Sequence, residues 1–267
     1  MSPAQPPGTA APPFRASNAF RFGTAALLGY ALYALSQLNF SWDRLASGVG
    51  SGRRFLARMF PPDFSRMDLL LSGIAESMEI AVLATFFGIL LSLPLAVMGA
   101  RNLMPSWATW PARLFVTACR AFNPVIVAIV FVKAIGFGAL AGVAALVVAS
   151  IGFAGKLFME AIEEVSMKQV EAVRATGAPF ASVVVFGVVP QVAGRFLGFI
   201  TYQLDSNLRN STMVGIVGAG GIGGTLFSAF QRFDHDFVLA ILIAIVAIVM
   251  ACEVAANHLK KLFNVGA

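Results

Sequence analysis

Between two apolar runs the sequence carries Glu171-Ala172-Val173-Arg174-Ala175-Thr176-Gly177, and Pro190 follows thirteen positions after the glycine. A short charged helix over residues 167–176 would stop at Gly177, where a missing Cβ permits a left-handed cap. Such a knob can fit a cleft on another protein, and its chemistry is then mechanical; a plain helical hairpin is the other reading. A second constellation, Asp205, Asn207, Arg209, Asn210, Ser211 and Thr212, is the most polar cluster adjoining an apolar run. Ionisable groups at membrane depth are costly, so they line a cavity or pair with one another. Arg209 can offer charge-assisted hydrogen bonds with Asn207 and Ser211 in support, or pair with Asp205 at i,i+4 spacing. Both readings stand.

Gly218, Gly220, Gly221 and Gly223 form the third constellation, and Gly218-Ala-Gly220-Gly-Ile-Gly223 satisfies the dinucleotide pattern GxGxxG. The context rejects that reading, because an apolar run occupies the place of the acidic ribose partner and no βαβ alternation surrounds the motif. The glycines instead let backbones approach closely, either for helix packing or to turn clustered N–H groups toward an anion.

Other chemistries have little footing. Cys119 and Cys252 lie in apolar runs without a CxxC partner, and His235 and His258 lack accompanying ligands, so no metal is expected. There is no GxxxxGK[ST] phosphate loop and no convergent set of acids and bases, so the chain is not expected to be an enzyme. A net charge of +6 raises the question of nucleic acid. The basic residues flank apolar segments rather than forming a stripe, which suits membrane headgroups and excludes nucleic acid as a partner.

The elements that must position these residues follow from composition. Of 267 residues, 58% are hydrophobic and 12% charged, with a mean hydropathy of +0.81. Too few polar side chains remain to cover a water-soluble core, so lipid must do so. Residues 1–19 are Pro- and Ala-rich without a repeating apolar face and are expected to be a disordered tail. Residues 20–38 are long enough to cross, and Gln-Leu-Asn-Phe-Ser-Trp follows where a signal peptide would place small residues, favouring a retained first span. Residues 39–66 interleave Trp42, Leu45, Val49, Phe55 and Leu56 with arginines, the mark of an amphipathic surface segment. The core, 67–262, holds spans near 69–98, 112–134, 140–158, 180–204 and 237–256.

Six spans place both termini on one side. Positive charge collects in the cytoplasm, and Arg15, Arg21, Arg101, Arg113, Lys260 and Lys261 fall there if the N-terminus is inside, as does the charged segment 156–174. The segment between the first and second spans disagrees: Arg44, Arg53, Arg54, Arg58 and Arg66 outnumber Asp43, Asp63 and Asp68 on the extracytoplasmic side.

A family resemblance rests on several separated motifs in order: Pro61-Pro62-Asp63-Phe64-Ser65, Ala100-Arg101-Asn102, Ser150-Ile151-Gly152 through Gly155-Lys156-Leu157-Phe158, Glu171 to Gly177, Val189-Pro190-Gln191, and Asp205-x-Asn207-x-Arg209-x-Ser211-Thr212 with the glycines to Gly223. Over about residues 60–262 the chain resembles the phosphonate-type permeases of bacterial ABC importers, with Glu171 to Gly177 in the place of their cytoplasmic EAA loop. Gly187 stands where the general pattern prefers a branched aliphatic residue, and Asn123-Pro124 where many relatives carry Pro-Glu.

The resemblance implies an all-α membrane protein of the type I ABC importer permease fold, with about six transmembrane helices and a cytoplasmic coupling helix near 167–177. It implies a multi-pass location in the bacterial cell membrane with both termini cytoplasmic. The implied partners are a second copy of the chain, two ATPase subunits holding ATP and Mg, an extracytoplasmic solute-binding protein and the lipid bilayer; no cofactor is expected on this chain. Glu171, Ala172, Arg174, Gly177 and Pro190 are then the ATPase-coupling residues. Asp205, Asn207, Arg209, Ser211, Thr212, Gly218, Gly220, Gly221 and Gly223 are the translocation-path candidates, with Arg209 facing a passing phosphonate-like dianion. Related phosphorus oxyanions such as phosphite or phosphate esters, or another small solute, are open alternatives. A secondary carrier fits less well, because the membrane carboxylates Glu76, Glu79 and Glu253 all lie near span ends.

Overall fold

The computed structural model describes residues 18–37 and 41–262, so the expected tail as far as residue 17 lies outside the described residues, as do residues 38–40 and the side chains of Lys260 and Lys261. The chain divides into two units, Met1–Ala57 and Arg58–Ala267. In the first, α1 (Asn18–Gln37) is a 20-residue helix with no buried side chain among those described. It has the length of the expected first span but is not among the helices apolar enough to cross a membrane. Asn18 and Arg21 at its start and Ser36 and Gln37 at its end dilute an Ala- and Leu-rich centre. α2 (Trp42–Arg58) follows, started by Ser41, whose hydroxyl accepts from the Arg44 N–H at 3.1 Å.

The second unit is all helix among the described residues: α3 (Met67–Gly99), α4 (Ser106–Ala121), α5 (Pro124–Ile135), α6 (Ala139–Glu163), α7 (Met167–Ala175), α8 (Phe180–Ser182), a π turn (Val183–Val188), α9 (Val189–Ile216), α10 (Ile222–Gln231) and α11 (His235–Leu262). Four runs are long and apolar enough to cross a membrane: Met67–Gly99, Ala139–Glu163, Phe180–Ile216 and His235–Ala255; a fifth arises if the bent pair α4 and α5 counts as one.

Two expected spans come out differently. The third is no straight crossing, because α4 and α5 meet at 90°. Asn123 and Pro124 cause the break: the Asn123 side chain accepts from the Val125 N–H at 2.9 Å and Pro124 occupies the first turn, so a new helix starts there. The fifth does not end at residue 204; the helix runs on through the polar cluster to Ile216, because the polar side chains find partners within the bundle.

α6 is the spine, and small residues let its neighbours close in. A Cβ on Gly88 of α3 would stand 2.3 Å from Ser150 Cβ, one on Gly152 would meet the Arg120 backbone at 3.0 Å, and one on Gly142 would meet the Ala219 carbonyl at 2.4 Å. Three buried clusters result. One gathers Phe158, Ile162, Val170, Val188 and Val192 near the C-terminal end of α3. A second joins Leu70, Ile222, Phe237 and Ile241 near its start. The third lies between, around Ile80, Ala128, Leu146 and Val214.

Candidate functional site

At one end of the bundle, α7 covers the charged motif. Thr176 ends it, and Gly177 takes the left-handed conformation at φ 78°, as expected of a residue without a Cβ. Val170 is fully buried, whereas Glu171, Ala172, Arg174 and Gly177 are exposed. The seat under Val170 is Gly187, where a Cβ would come within 3.3 Å of the Val170 backbone. Gly187 lies in the π turn, and Pro190 explains that turn: without an N–H it leaves the carbonyl four residues back undonated, and its ring pushes that carbonyl away.

Polar braces lock this seat. Gln191 accepts from the Ser166 N–H at 2.8 Å and donates to the Gly187 carbonyl at 2.6 Å, so one side chain ties the start of α7 to the π turn. Glu164 pairs with Arg195. Glu163 accepts from the Arg101 N–H at 2.9 Å and pairs with Arg113, whose Nε donates to the Gly99 carbonyl. Asn102 donates to the Ile162 carbonyl at 2.8 Å. Asn102 and Gln191 stood out in the sequence only as motif letters and Arg101 as a motif letter and a cytoplasmic charge; the charge of Glu163 and Glu164 was visible but its partners, 31 to 62 residues distant, were not.

The polar stretch of α9 divides by face. Residues two apart on a helix point about 200° from each other, so Asn207 and Ser211 look one way and Asp205 and Arg209 the other. Asn207 is fully buried and donates to Thr85 Oγ1 and to Ser150 Oγ, both at 2.9 Å; Gln203 donates to Ser150 Oγ at 2.8 Å and to Asn207 Oδ1 at 3.0 Å. Ser211 is buried too and donates to the Leu208 carbonyl. This network bolts α9 to α3 and α6, and the structure does not bring Asn207 or Ser211 to Arg209. Thr85 was missed because it stands alone in apolar sequence, Ser150 stood out only as a motif letter, and Gln203, four residues before Asn207, lay just outside the polar cluster.

On the opposite face Arg209 pairs with Asp205 at 2.7 Å, with side chains 47% and 16% exposed. Asp205 borders a cavity of about 130 Å³ with Met78, Val82, Leu208 and Cys252, and its Oδ1 has no hydrogen-bond partner. Arg209 and Thr212 border a shallower hollow of about 300 Å³ with Met213, Ile245 and Val249. Such a pair stores a compensated charge beside an opening, able to hold an anion if the arginine is freed.

At the far end, Gly218, Gly220 and Gly221 adopt φ 92°, 81° and 75°. They line an open basin of about 470 Å³ together with Glu76, Arg66, Arg232, Thr225 and Ser228. Gly223 does not line it; a Cβ there would stand 1.9 Å from the Thr212 carbonyl, so its missing side chain lets α9 and α10 close on each other. Ser77 steadies the turn by accepting from the Ile222 N–H at 2.9 Å. Arg66 pairs with Asp234 at 3.0 Å and Asp63 at 3.5 Å, and its guanidinium lies 4.0 Å above the Phe237 ring. The Ser65 N–H, then its hydroxyl and Arg66 hold the Asp63 carboxyl below its ordinary pKa, while Asp234 raises that of Arg66. Arg66 and Asp234 are 168 residues apart, beyond any reading of spacing.

Known proteins share this architecture. The family model described as binding-protein-dependent transport system inner membrane component matches residues 76–265. Among curated relatives, the putative phosphite transport system permease protein HtxC of Stutzerimonas stutzeri is 35% identical over 88% of this chain and 83% of its own length. The phosphite transport system permease protein PtxC of the same organism is 37% identical over 82% and 80%. The phosphate-import permease protein PhnE of Mycolicibacterium smegmatis is 38% identical over 87% of this chain but 44% of its own length. Among solved structures, a chain of the inward-facing MetNI methionine ABC transporter superposes with a TM-score of 0.66 at 22% identity, covering 75% of this chain and 99% of that one. A chain of a bacterial ABC transporter importing alginate gives 0.63 at 14% identity over 90% and 98%. These two likenesses show the fold alone. With the family model covering most of the helical core, the chain belongs to the inner membrane components of binding-protein-dependent transport systems and is a permease subunit of an importer.

Proposed function

We propose that two copies of this chain form the translocation pathway of an ATP-driven importer for phosphorus oxyanions, with phosphite, phosphate or a phosphonate as cargo. Two copies of a separate ATPase, which holds ATP and Mg, dock at α7 on the cytoplasmic side, and an extracytoplasmic solute-binding protein delivers cargo at the basin end. Counting the bent pair α4–α5 as one crossing gives five; a further crossing by α1, less apolar than these, would put both termini in the cytoplasm and 39–66 outside. The observation that carries the coupling role is the seating of α7: Val170 is sunk in the core while Glu171, Ala172 and Arg174 face outward.

A rigid seat matters because force must travel. ATPase closure would push on Glu171 and Ala172, and the Gln191 brace with the Val170–Gly187 contact hands that push to the start of α9. Because α9 is continuous to Ile216, the Asp205–Arg209 pair moves with it. Arg209 beside Thr212 is the group that meets the anion, with Asp205 returning to it once the cargo has passed; weak, transient binding of this kind is what a pathway requires. The cargo assignment is supported by the phosphite permeases HtxC and PtxC. A permease for another small solute is the alternative reading.

Reconstituted vesicles test both parts. With the cognate ATPase and binding protein, phosphite or phosphonate should accumulate only with ATP, and Glu171→Ala should cut uptake roughly tenfold, the loss expected for one interface hot spot. Accumulation without the ATPase would overturn the coupling role. Unchanged uptake in Arg209→Ala would remove that residue from the pathway.

A further inference from the structure

Helix α2 is left over by everything above. None of its residues is buried, yet it is sorted by face. At 100° per residue, Trp42, Leu45, Ala46, Val49, Leu56 and Ala57 fall in one stripe, Arg44, Ser47, Ser51, Arg54 and Arg58 fall opposite, and Phe55 is the large apolar residue outside the stripe, next to Arg44. Leu45, Val49 and Leu56 remain 51%, 69% and 58% exposed. An apolar stripe left in water is unfavourable, and Gly48, Gly50 and Gly52 each weaken the helix further, by about 1 kcal/mol relative to alanine. A helix so composed needs a surface to form against. Only residues 59–66 separate it from the membrane-spanning α3, so a bilayer surface is within the chain's reach.

We propose that α2 is an interfacial helix that docks on anionic phospholipid headgroups. Leu45, Val49 and Leu56 enter the boundary between headgroup and acyl chain, while Arg44, Arg54 and Arg58 engage lipid phosphates. Arg53 falls inside the apolar stripe, and its long stem lies along that stripe while the guanidinium reaches the phosphate layer. Four arginines against Asp43 give α2 a net charge of +3, complementary to an anionic surface. Lipid fits better than a soluble protein, because a protein that departs after each delivery would return the apolar stripe to water. The same docking accounts for the arginine excess in 39–66, which runs against the usual charge asymmetry: these residues are held by headgroups rather than sorted by translocation.

The full chain in nanodiscs tests this by amide hydrogen exchange. In discs of equal parts phosphatidylcholine and phosphatidylglycerol, the amides of residues 45–57 should exchange roughly tenfold more slowly than in phosphatidylcholine alone. The triple variant Arg44→Gln, Arg54→Gln, Arg58→Gln should erase that difference, and Val49→Glu with Leu56→Glu should give fast exchange in both lipids. Unchanged protection of α3 and α6 in each variant reports an intact core. Equal exchange of wild-type α2 in the two lipids, or protection that appears only when a solute-binding protein is added, would overturn the proposal.

Discussion

The two ends of α3 are built by opposite means. Its 33 residues rise about 50 Å, from the glycine-lined basin to the seat of α7. The basin end depends on side chains that are missing: Gly215, Gly220 and Gly223 let backbones pass at distances a Cβ would forbid, and Gly221 leaves room for the Ser77 hydroxyl. The α7 end depends on side chains that reach, with Gln191, Asn102, Arg113 and Arg195 spanning between helices. Close backbone packing tolerates almost no substitution but transmits little direction. Long polar braces tolerate more, and they fix the orientation of one helix against the next, which is what a force-bearing joint requires.

The sharpest break of this comparison is at the basin. Gly223→Val puts branched carbons against the Thr212 carbonyl, 1.9 Å from where its Cβ would stand, and should cost more than about 3 kcal/mol; detergent-solubilised protein should lose its folded peak in size exclusion. Gly187→Leu at the other end meets a 3.3 Å contact that α7 can relieve by shifting. It should cost about 1–3 kcal/mol and lower the cargo moved per ATP more than it lowers Tm; equal losses in both would mean the joint is merely structural.

Between the ends, Asn207→Ala and Ser150→Ala form a cycle across the buried network. Polar pairs between membrane helices average about 0.6 kcal/mol, so a coupling near 1 kcal/mol in thermal unfolding is expected, and additivity would show that the bolt holds nothing. The smallest effect belongs to Asp63. Its folded pKa lies below the unfolded one, so its contribution to stability is present above the ordinary aspartate range and is lost as pH falls through the folded value. Tm of the native chain should exceed that of Asp63→Asn slightly at neutral pH, and the two should converge in acid once the pH has fallen below the folded value.

Much of the fold was legible beforehand because its signals are local. The apolar runs behind α3, α6 and α11, the stop at Gly177 and the amphipathic character of α2 each follow from a window of residues. Even the broken third span was written in Asn123-Pro124, had those residues been taken as a cap and a first helical turn rather than as a departure from a motif. The site was less legible. Periodicity places Asp205 and Arg209 together, but the burial of Asn207 depends on Thr85 and Ser150, 122 and 57 residues away. Nothing near Gly187 announces that Val170 will rest on it.

Sequence alone determined that lipid surrounds this chain, where most of its helices run, and which short charged segment stands apart from them, because hydropathy and backbone preference are properties of neighbouring residues. Tertiary structure alone decided which face of α9 looks inward, that Arg66 joins Asp234, and that one glutamine fastens α7 to the turn below it. Those outcomes depend on which helices meet, and the free energy of a buried polar group is settled only when a distant partner arrives to satisfy it.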